Sequence, residues 1–552
     1  MLPPASSERR SRGRVVGVVA VLLLLGAAIL LRLRYVHEGR IVYDEFQHVH
    51  PAFLMARGQT PYVDFFAHHP PLYYYLIAAL IPFGAPTFDT MIHVRFLSLG
   101  VHLATIALIA AWVRAIRGRT EGLVVAALLL GNFFLFRFGT LGFLDTYALP
   151  LLVGAAWLVG AGRGRPLRCA LGGAAYALAG LFTQKAIFAA IAHAVIFLGA
   201  LPLGSWRRDG RRWLRDLAAY VAGGLATAAL VALALGRETV VAFVRDAVLL
   251  NIGYKFHYFP RRELVILGAS EAFVYATAAA GALATLIGLA RRRLAVTPAD
   301  GPALMLVAMA LGIVLLPVCF EEYFILVVPF AVATAGMQMV AWWREHFLPA
   351  SGSRAWRTCI AAAAIGAGVV DLVGLRVLAA NKLTLTAMAV TVGLWGVLGG
   401  LLAIAGRRAP GLRAALCLAL VLVLAVVQQV DWIPRNGNAE QRARVEYVLA
   451  TTRPDEPFFD GRTGWGVFRP HAYRYWFLQE DFQPMLSREE RGRDIVDALE
   501  RTRAPLAADD EFVAILEPEV REYLATHYED TPFPELKRRR DGVADPWAPR
   551  VP

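Results

Sequence analysis

The chain has 552 residues, 57% of them hydrophobic and 18% charged, with a mean hydropathy of +0.50. This composition excludes an ordinary soluble globular protein and predicts a protein that crosses the membrane many times. The formal charge of +13 does not indicate a nucleic-acid partner: residues 431–552 hold 18 Lys and Arg against 24 Asp and Glu, a net of −6, which leaves +19 on residues 1–430. The basic excess therefore follows the membrane topology and favours contact with anionic lipid.

Apolar stretches of about 20 residues, the length that crosses a bilayer, recur along most of the chain. We predict thirteen spans, at 15–33, 91–113, 122–138, 145–161, 168–183, 186–203, 214–235, 264–290, 302–318, 323–342, 357–380, 384–405 and 411–430. Arginine clusters lie at the N-terminus and after every second span, as short cytoplasmic loops require. The pattern predicts a cytoplasmic tail over 1–14, a transmembrane domain over 15–430 and an outer C-terminal domain over 431–552.

The first outer loop, 35–90, contains a dense set of polar residues. Asp44 and Glu45 follow the first span, and His68 and His69 precede two prolines. Adjacent carboxylates beside a membrane helix are costly unless they serve a purpose, which favours an enzyme. Alternatively, the carboxylates cap a helix, and the histidines either bind a metal or phosphate or only shape the turn.

Later outer segments carry further polar residues on the side of the membrane predicted for Asp44. The longest of these segments is the outer loop 237–263. The candidates for substrate or phosphate binding and catalysis in these segments are Asp145, Lys185, Lys255, Tyr258, Arg261, Arg262, Glu322 and Tyr323. Because the predicted topology places all of these residues on one side of the membrane, they would converge on one site.

Each later candidate also has a structural explanation. Asp145 lies at the start of a span, where a carboxylate complements the helix dipole, and Lys185 would simply extend from a short turn to the membrane surface. Arg261 and Arg262 follow aromatic residues and would anchor the loop at the interface. Glu322 would sit in an exposed turn. The residues alone leave these alternatives open.

The combination of carboxylates and cations indicates a chemistry. A carboxylate accepts the proton of an attacking hydroxyl, whereas lysine and arginine stabilise a phosphate or diphosphate leaving group. Such a site at the membrane surface suits group transfer from a lipid-linked phosphate. Asp44 and Asp145 are candidate ligands for a divalent cation, Mg²⁺ or Mn²⁺, and the sequence indicates no other cofactor.

The C-terminal region differs in composition, with more charge and proline and no long apolar run. Its length suffices for one small domain. We predict helices at 442–450 and 488–501 and a short strand at 512–516, hence a small α/β domain, followed by a flexible end from residue 537. The fold class is thus an all-α polytopic membrane protein with an extracytoplasmic α/β domain.

The first-loop pattern resembles a known family. Asp44-Glu45, then Gly58-x-x-Pro61-Tyr62-x-Asp64, then His69-Pro70-Pro71-Leu72-x-Tyr74-Tyr75 is similar to the polytopic glycosyltransferases of the C superfamily. The similarity is greatest to the protein O-mannosyltransferase and aminoarabinose transferase group, which uses polyprenyl-phosphate-linked sugars. Leu144-Asp145-Thr146 and Thr183-Gln184-Lys185 resemble that group's second-loop carboxylate and its lysine-bearing turn.

The resemblance implies that Asp44 is the catalytic carboxylate near the acceptor hydroxyl, that Glu45 and Asp145 assist, and that the sugar carbon is inverted. One departure is clear. Aminoarabinose transferases have an acidic residue followed by lysine where this chain has His68 and His69. The departure argues against assuming the aminoarabinose substrate, and it shifts phosphate binding towards the cations of the later loops.

These observations predict a plasma-membrane enzyme, a hexosyl- or pentosyltransferase that moves one sugar from a polyprenyl-phosphate donor to an extracytoplasmic lipid, glycan or protein. The alternative is a transporter or flippase of lipid-linked sugars, in which the same charges would line a path. The charges gather on one side rather than at the midplane, and the two halves show no clear repeat, which favours transfer. A non-catalytic envelope subunit would leave the Asp44-Glu45 and His-Pro-Pro cluster unexplained.

Overall fold

The computed structural model describes residues 5–81, 86–161, 164–199, 206–253, 257–261, 263–264, 268, 271–292, 295–347, 410–433 and 437–540. The predicted spans 357–380 and 384–405 lie outside these residues, and so do Lys255, Arg262 and residues 541–552. The prediction that a flexible end begins at residue 537 is wrong, because that residue lies in the strand Leu536–Arg539.

Helices dominate the described part of residues 1–433. They are α1 Ala5–Glu38, α2 Tyr43–Ala56, α3 Leu72–Ala78, α4 Phe88–Arg117, α5 Arg119–Gly131, α6 Phe133–Phe138, α7 Leu144–Gly160, α8 Pro166–Gly180, α9 Ala186–Gly199, α10 Trp206–Leu235, α11 Arg237–Phe243, α12 Ala272–Arg291, α13 Gly301–Val314, α14 Val328–Trp342 and α15 Pro410–Trp432. All eleven predicted spans that fall on described residues overlap a helix.

Four described segments are long and apolar enough to cross a membrane: Val18–Glu38, Phe88–Arg117, Gly210–Leu235 and Ala272–Arg291. Shorter apolar helices include α7 and the segment that contains α13. The structure therefore agrees with a polytopic helical protein, whereas the number thirteen and the orientation stay predictions.

Two predicted segments differ from the structure. The span 122–138 is two helices, because Asn132 interrupts the helix and its Oδ1 accepts the Leu135 N–H at 2.8 Å, which starts a new helix. The outer loop 237–263 is largely helical, since α11 continues through a π-helical turn, Val244–Leu249, to Ile252.

Small residues allow close packing of the membrane helices. A Cβ on Gly173 of α8 or on Gly223 of α10 would collide with the backbone of the facing helix, at Tyr220 and Ala170 respectively. Association in lipid depends on this kind of close backbone approach, because apolar side chains gain little by leaving the lipid tails.

The first outer loop is built on α2 and α3. At the start of α2 the Glu45 side chain accepts the Val42 N–H at 3.2 Å, and two acidic residues occupy the positive end of the helix dipole. Gly58, with φ +86°, follows the helix end at a backbone angle that disfavours other residues. Residues 45–54 are all buried, so α2 is an internal element of the structure.

The C-terminal domain is a small α/β unit, as predicted. Its helices are α16 Ala439–Thr451, α17 Arg488–Arg491, α18 Arg493–Thr502 and α19 Pro518–His527, and its strands are β1 Phe458–Phe459, β2 Leu506–Ala508, β3 Tyr528–Asp530 and β4 Leu536–Arg539. The sheet order is β1-β2-β4-β3, in which β1 and β2 are parallel and the other pairs antiparallel.

The strand predicted at 512–516 is wrong. These residues form turns, because the Asp510 carboxylate accepts the N–H groups of Phe512 and Val513 at 2.9 and 2.7 Å. An aspartate that bonds to the backbone two and three residues ahead stabilises a turn instead of an extended strand.

The C-terminal domain shares its apolar core with the first outer loop. Phe66 is 1% exposed and stacks on Phe482 at 5.0 Å, inside a cluster formed otherwise by C-terminal residues. Trp476 donates its Nε1–H to the Phe66 carbonyl at 2.7 Å, and Phe53 packs edge-on to Phe468 at 5.9 Å. The two regions therefore form one packed unit.

This contact should weaken in acid. His50 of α2 is 5% exposed, bonds through Nδ1 to the Val467 carbonyl at 2.9 Å, and has its pKa lowered by burial to about 3. The unfolded chain binds the proton near pH 6.5, so stability is complete above that pH and is lost as pH falls towards 3. At pH 5 the loss for His50 is about 2 kcal/mol.

The measurement is thermal unfolding in detergent from pH 7.5 to 5. His50→Gln should show a shallower decline in melting temperature than the parent, because the glutamine does not titrate. His37→Gln, at an exposed position, is the control and should keep the parent's slope. Equal slopes for all three proteins would contradict the prediction.

Candidate active site

The predicted site residues come from elements that are separated in the chain. Asp44 is in the first turn of α2, Asp145 in the first turn of α7, and Lys185 in the turn between α8 and α9. Glu322 and Tyr323 lie in a 3₁₀ turn, Glu321–Leu326, that precedes α14. Each of these side chains lies near the end of a helix. The predicted topology places these helix ends on one side of the membrane.

Asp145, Lys185 and Tyr323 make direct contact. The Lys185 Nζ lies 2.7 Å from Asp145 Oδ2 and 3.4 Å from the centroid of the Tyr323 ring. The Asp145 side chain is 6% exposed and that of Lys185 16%. A cation so placed combines an ion pair with a cation–π contact, and its ammonium group is fixed rather than left to extend into solvent.

Three histidines form a second group. The His69 ring lies 4.1 Å from the His68 ring and 5.2 Å from the His48 ring, and His48 Nδ1 bonds to the Gly142 carbonyl at 3.1 Å. Burial lowers the pKa of His68 to about 3 and that of His69 well below its ordinary value, and neighbouring positive groups add to the effect. At neutral pH these imidazoles are uncharged, so they offer hydrogen bonds rather than positive charge.

Glu322 is a partly buried carboxyl in the 3₁₀ turn Glu321–Leu326. Burial raises its pKa well above the ordinary value, the negative charges of Asp44 and Glu321 raise it further, and Lys185 opposes the shift. These interactions link Glu322 electrostatically to Asp44 and Lys185.

Asp44 remains accessible. Its side chain is 28% exposed, and its Oδ1 accepts a hydrogen bond from Arg462 Nη2 at 3.0 Å. Arg462 belongs to the C-terminal domain. The carboxylate thus has a cationic partner and is still accessible to solvent, so an acceptor hydroxyl could reach it.

Glu45 has a different environment, although it is adjacent to Asp44. Arg95 of α4 binds its carboxylate through Nε at 2.7 Å and through Nη2, and the Gly142 N–H donates to it at 2.9 Å. Arg95 also donates to the Gly39 and Arg40 carbonyls, at 2.7 and 2.5 Å. With both oxygens occupied and the pair almost fully buried, Glu45 fixes the start of the loop.

Tyr258 and Arg261 lie in a segment that contacts residues 317–320. The Tyr258 N–H and carbonyl bond to Pro317 and Cys319, at 3.1 and 2.9 Å, and the Tyr258 ring lies 5.2 Å from that of Phe320. Phe320 in turn contacts Tyr323 at 5.7 Å, which links the segment to Lys185. Arg261 and Tyr258 both line an open cleft of about 920 Å³ that is otherwise mainly apolar.

Sequence reasoning missed three contributors. Arg95 lies within a predicted span, where a buried charge is itself a signal of function or of a buried partner. His48 lies one helical turn after Asp44, a spacing that places both on one face. Arg462 is 418 positions from Asp44, and no local pattern indicates it.

The two candidate metal ligands, Asp44 and Asp145, are both paired with cations. Asp44 faces Arg462 and Asp145 faces Lys185, and in the described part of the chain no three His, Cys, Asp or Glu side chains form a group suited to a metal ion. The residues present therefore do not fit a preformed metal site, and we assign no step to a metal. The arrangement can instead accept a proton at Asp44 and stabilise negative charge at Lys185.

No protein-family model matches the sequence, and no curated protein matches it. Solved structures do match the fold. ArnT from Cupriavidus metallidurans bound to undecaprenyl phosphate superposes with a TM-score of 0.59 and 13% identity over 95% of this chain and 99% of that one. The Archaeoglobus fulgidus oligosaccharyltransferase gives 0.52 and 13% over 93% and 72%, and the arabinosyltransferase EmbB from Mycobacterium smegmatis gives 0.50 and 14% over 81% and 42%. This chain thus shares its fold with these three solved structures, and its first outer loop resembles the C-superfamily membrane glycosyltransferases.

Proposed function

We propose that the protein is a membrane glycosyltransferase that moves one sugar from a polyprenyl-phosphate donor to an acceptor hydroxyl on the outer side of the plasma membrane. The observation that carries the proposal is the accessible Asp44 carboxylate in the same polar cluster as the Lys185–Asp145 pair. The fold supports it, since one structure of this fold holds undecaprenyl phosphate.

The donor side of the site is formed by Lys185. Its ammonium is held between Asp145 and the Tyr323 ring, so a phosphate meets a cation whose position is already fixed. The bond between the sugar carbon and the phosphate oxygen breaks in the reaction, and charge grows on that oxygen. A positioned cation stabilises this charge more in the transition state than in the bound donor.

The acceptor side is formed by Asp44. The acceptor hydroxyl attacks the sugar carbon from the face opposite the phosphate, and its proton passes to the Asp44 carboxylate. The products are the glycosylated acceptor and polyprenyl phosphate, and the configuration of the sugar carbon is inverted. The neutral His48, His68 and His69 would orient hydroxyl groups without adding charge.

A reconstitution experiment tests this function. Purified protein in vesicles receives radiolabelled polyprenyl-phosphate sugars, both hexosyl and pentosyl, together with envelope extract. Release of polyprenyl phosphate and label on an acceptor support transfer, and the labelled product identifies the sugar and the acceptor class. Movement of intact lipid-linked sugar across the vesicle without cleavage would establish the transporter instead.

We predict that Lys185→Met lowers kcat/KM for the donor by about 100-fold, because it removes a positioned charge from the leaving phosphate. Tyr323→Phe keeps the ring beneath the Lys185 ammonium and should retain most of the activity. Tyr323→Leu removes the ring and should therefore lose part of the activity. Steady-state kinetics with varied donor measure the effect. Parent-like kcat/KM in Lys185→Met would exclude the lysine from phosphate stabilisation.

A further inference from the structure

The loop of the C-terminal domain that carries Arg462 is rigidly built. The Asp460 carboxylate accepts the backbone N–H groups of Arg462, Thr463 and Gly464 at 2.8, 2.6 and 2.8 Å, and it also accepts the Thr463 hydroxyl at 2.8 Å. Four hydrogen bonds to one buried carboxylate fix the loop backbone. Arg462 therefore leaves the domain from a defined position.

The same loop is pressed against the helix that carries Asp44. Gly464 has φ +76°, and a Cβ on it would collide with the Phe46 ring, two residues beyond Asp44. A residue with a side chain would be strained in the loop and would push it away from α2. The close contact between Gly464 and Phe46 therefore fixes the distance between Arg462 and Asp44.

Three aromatic rings surround the guanidinium. The centroids of Tyr43, Phe512 and Phe477 lie 5.2, 5.5 and 5.8 Å from its central carbon. The Arg462 side chain is 16% exposed, and the ion pair with Asp44 is 3.0 Å long. A guanidinium held by rings and by a rigid loop loses little freedom when it binds a carboxylate, unlike an arginine on an open surface.

We infer that Arg462 is a positioning residue for Asp44, so that the C-terminal domain completes the acceptor side of the site. This inference rests on the proposed function. The ion pair uses Asp44 Oδ1 and orients the carboxylate so that its other oxygen meets the acceptor hydroxyl. Arg462 acts through Asp44 rather than on the donor, because the donor cation is Lys185.

The chain offers a matched control in Arg474. This arginine also joins the C-terminal domain to the outer loops, since its Nη2 lies 3.5 Å from Asp246 and 3.2 Å from the Tyr62 carbonyl. It makes no described contact with Asp44. Loss of Arg474 therefore removes a similar contact between the two regions without disturbing the carboxylate.

The test compares the parent with Arg462→Met, Arg462→Lys, Arg474→Met and Asp44→Asn in the reconstituted transfer assay, with melting temperatures for each. We expect Arg462→Met to lower kcat by about 10- to 100-fold, the value of a hydrogen bond to a charged group, while the donor KM changes little. Arg462→Lys should recover most of the loss, and Arg474→Met should match the parent. In the Asp44→Asn background, Arg462→Met should have no further effect.

The outcomes separate the two levels of inference. If Asp44→Asn is inactive while Arg462→Met keeps the parent's kcat, the positioning role is excluded and the proposed function stands. If Arg462→Met and Arg474→Met lose kcat alike, or if lysine restores nothing, the contact only holds the domain and the inference fails. If Asp44→Asn turns over like the parent, the catalytic assignment fails and the positioning role fails with it.

Discussion

Asp44→Asn should lower the turnover of sugar transfer by about 10²- to 10⁴-fold, the range that a positioned general base contributes. The amide keeps the size of the side chain but cannot take the acceptor proton. Donor binding should be nearly unchanged, because the phosphate contacts fall to Lys185, which lies with Asp145 and Tyr323. The measurement is kcat and donor KM from the release of polyprenyl phosphate.

Asp64→Asn is the control for loss of a carboxylate in the same loop. Asp64 is exposed and its Oδ2 accepts the Thr60 N–H at 2.6 Å, so its role is to shape a turn. We expect its turnover to stay near the parent's. Equal turnover in the parent and Asp44→Asn would remove Asp44 from the mechanism, and equal losses in both aspartate variants would point to a general effect of charge on the loop.

The second large effect concerns folding. Arg95→Met should lower the free energy of unfolding by about 3–5 kcal/mol, because it leaves the Glu45 carboxylate buried without its cation. Both side chains are almost fully buried, and the arginine also holds the Gly39 and Arg40 carbonyls. Titration with a denaturing detergent measures the change in the free energy of unfolding, and the melting temperature provides a second measurement of stability.

Arg34→Met provides the comparison. Arg34 pairs with Glu38 at 2.8 Å, but the two side chains are 53% and 47% exposed, so the loss should stay below about 1 kcal/mol. Replacing Glu45 and Arg95 together by Met should cost less than Arg95→Met alone, since no buried charge is then unpaired. A similar stability for Arg95→Met and Arg34→Met would contradict a structural role for the buried pair.

Much of the helical plan could be predicted from the sequence, because an apolar run of the right length has few alternatives in a membrane. The interruption at Asn132 could not, since a single capping residue competes with a continuous apolar pattern. The stretch 512–516 has the composition of a strand, yet one carboxylate at Asp510 bends it into a turn. Local hydrogen bonds of this kind override hydrophobic pattern over short segments.

The candidate site was also predictable in part. Topology was sufficient to gather Asp145, Lys185 and Tyr323, because helix ends on one side of a bundle are near each other. It was not sufficient to distinguish Asp44 from Glu45, since the difference depends on Arg95 and Arg462, which are distant in the chain. Partners of that kind depend on how separate regions dock.

The burial of Phe66 among C-terminal aromatic residues has a consequence for biogenesis. During synthesis the first outer loop is made hundreds of residues before Phe482 and Trp476, so the C-terminal side chains that bury Phe66 are not yet present. This loop therefore completes its packing last although it is translated early. A chain that stops before the C-terminal domain would keep the helices but leave Phe66 without the aromatic residues that cover it.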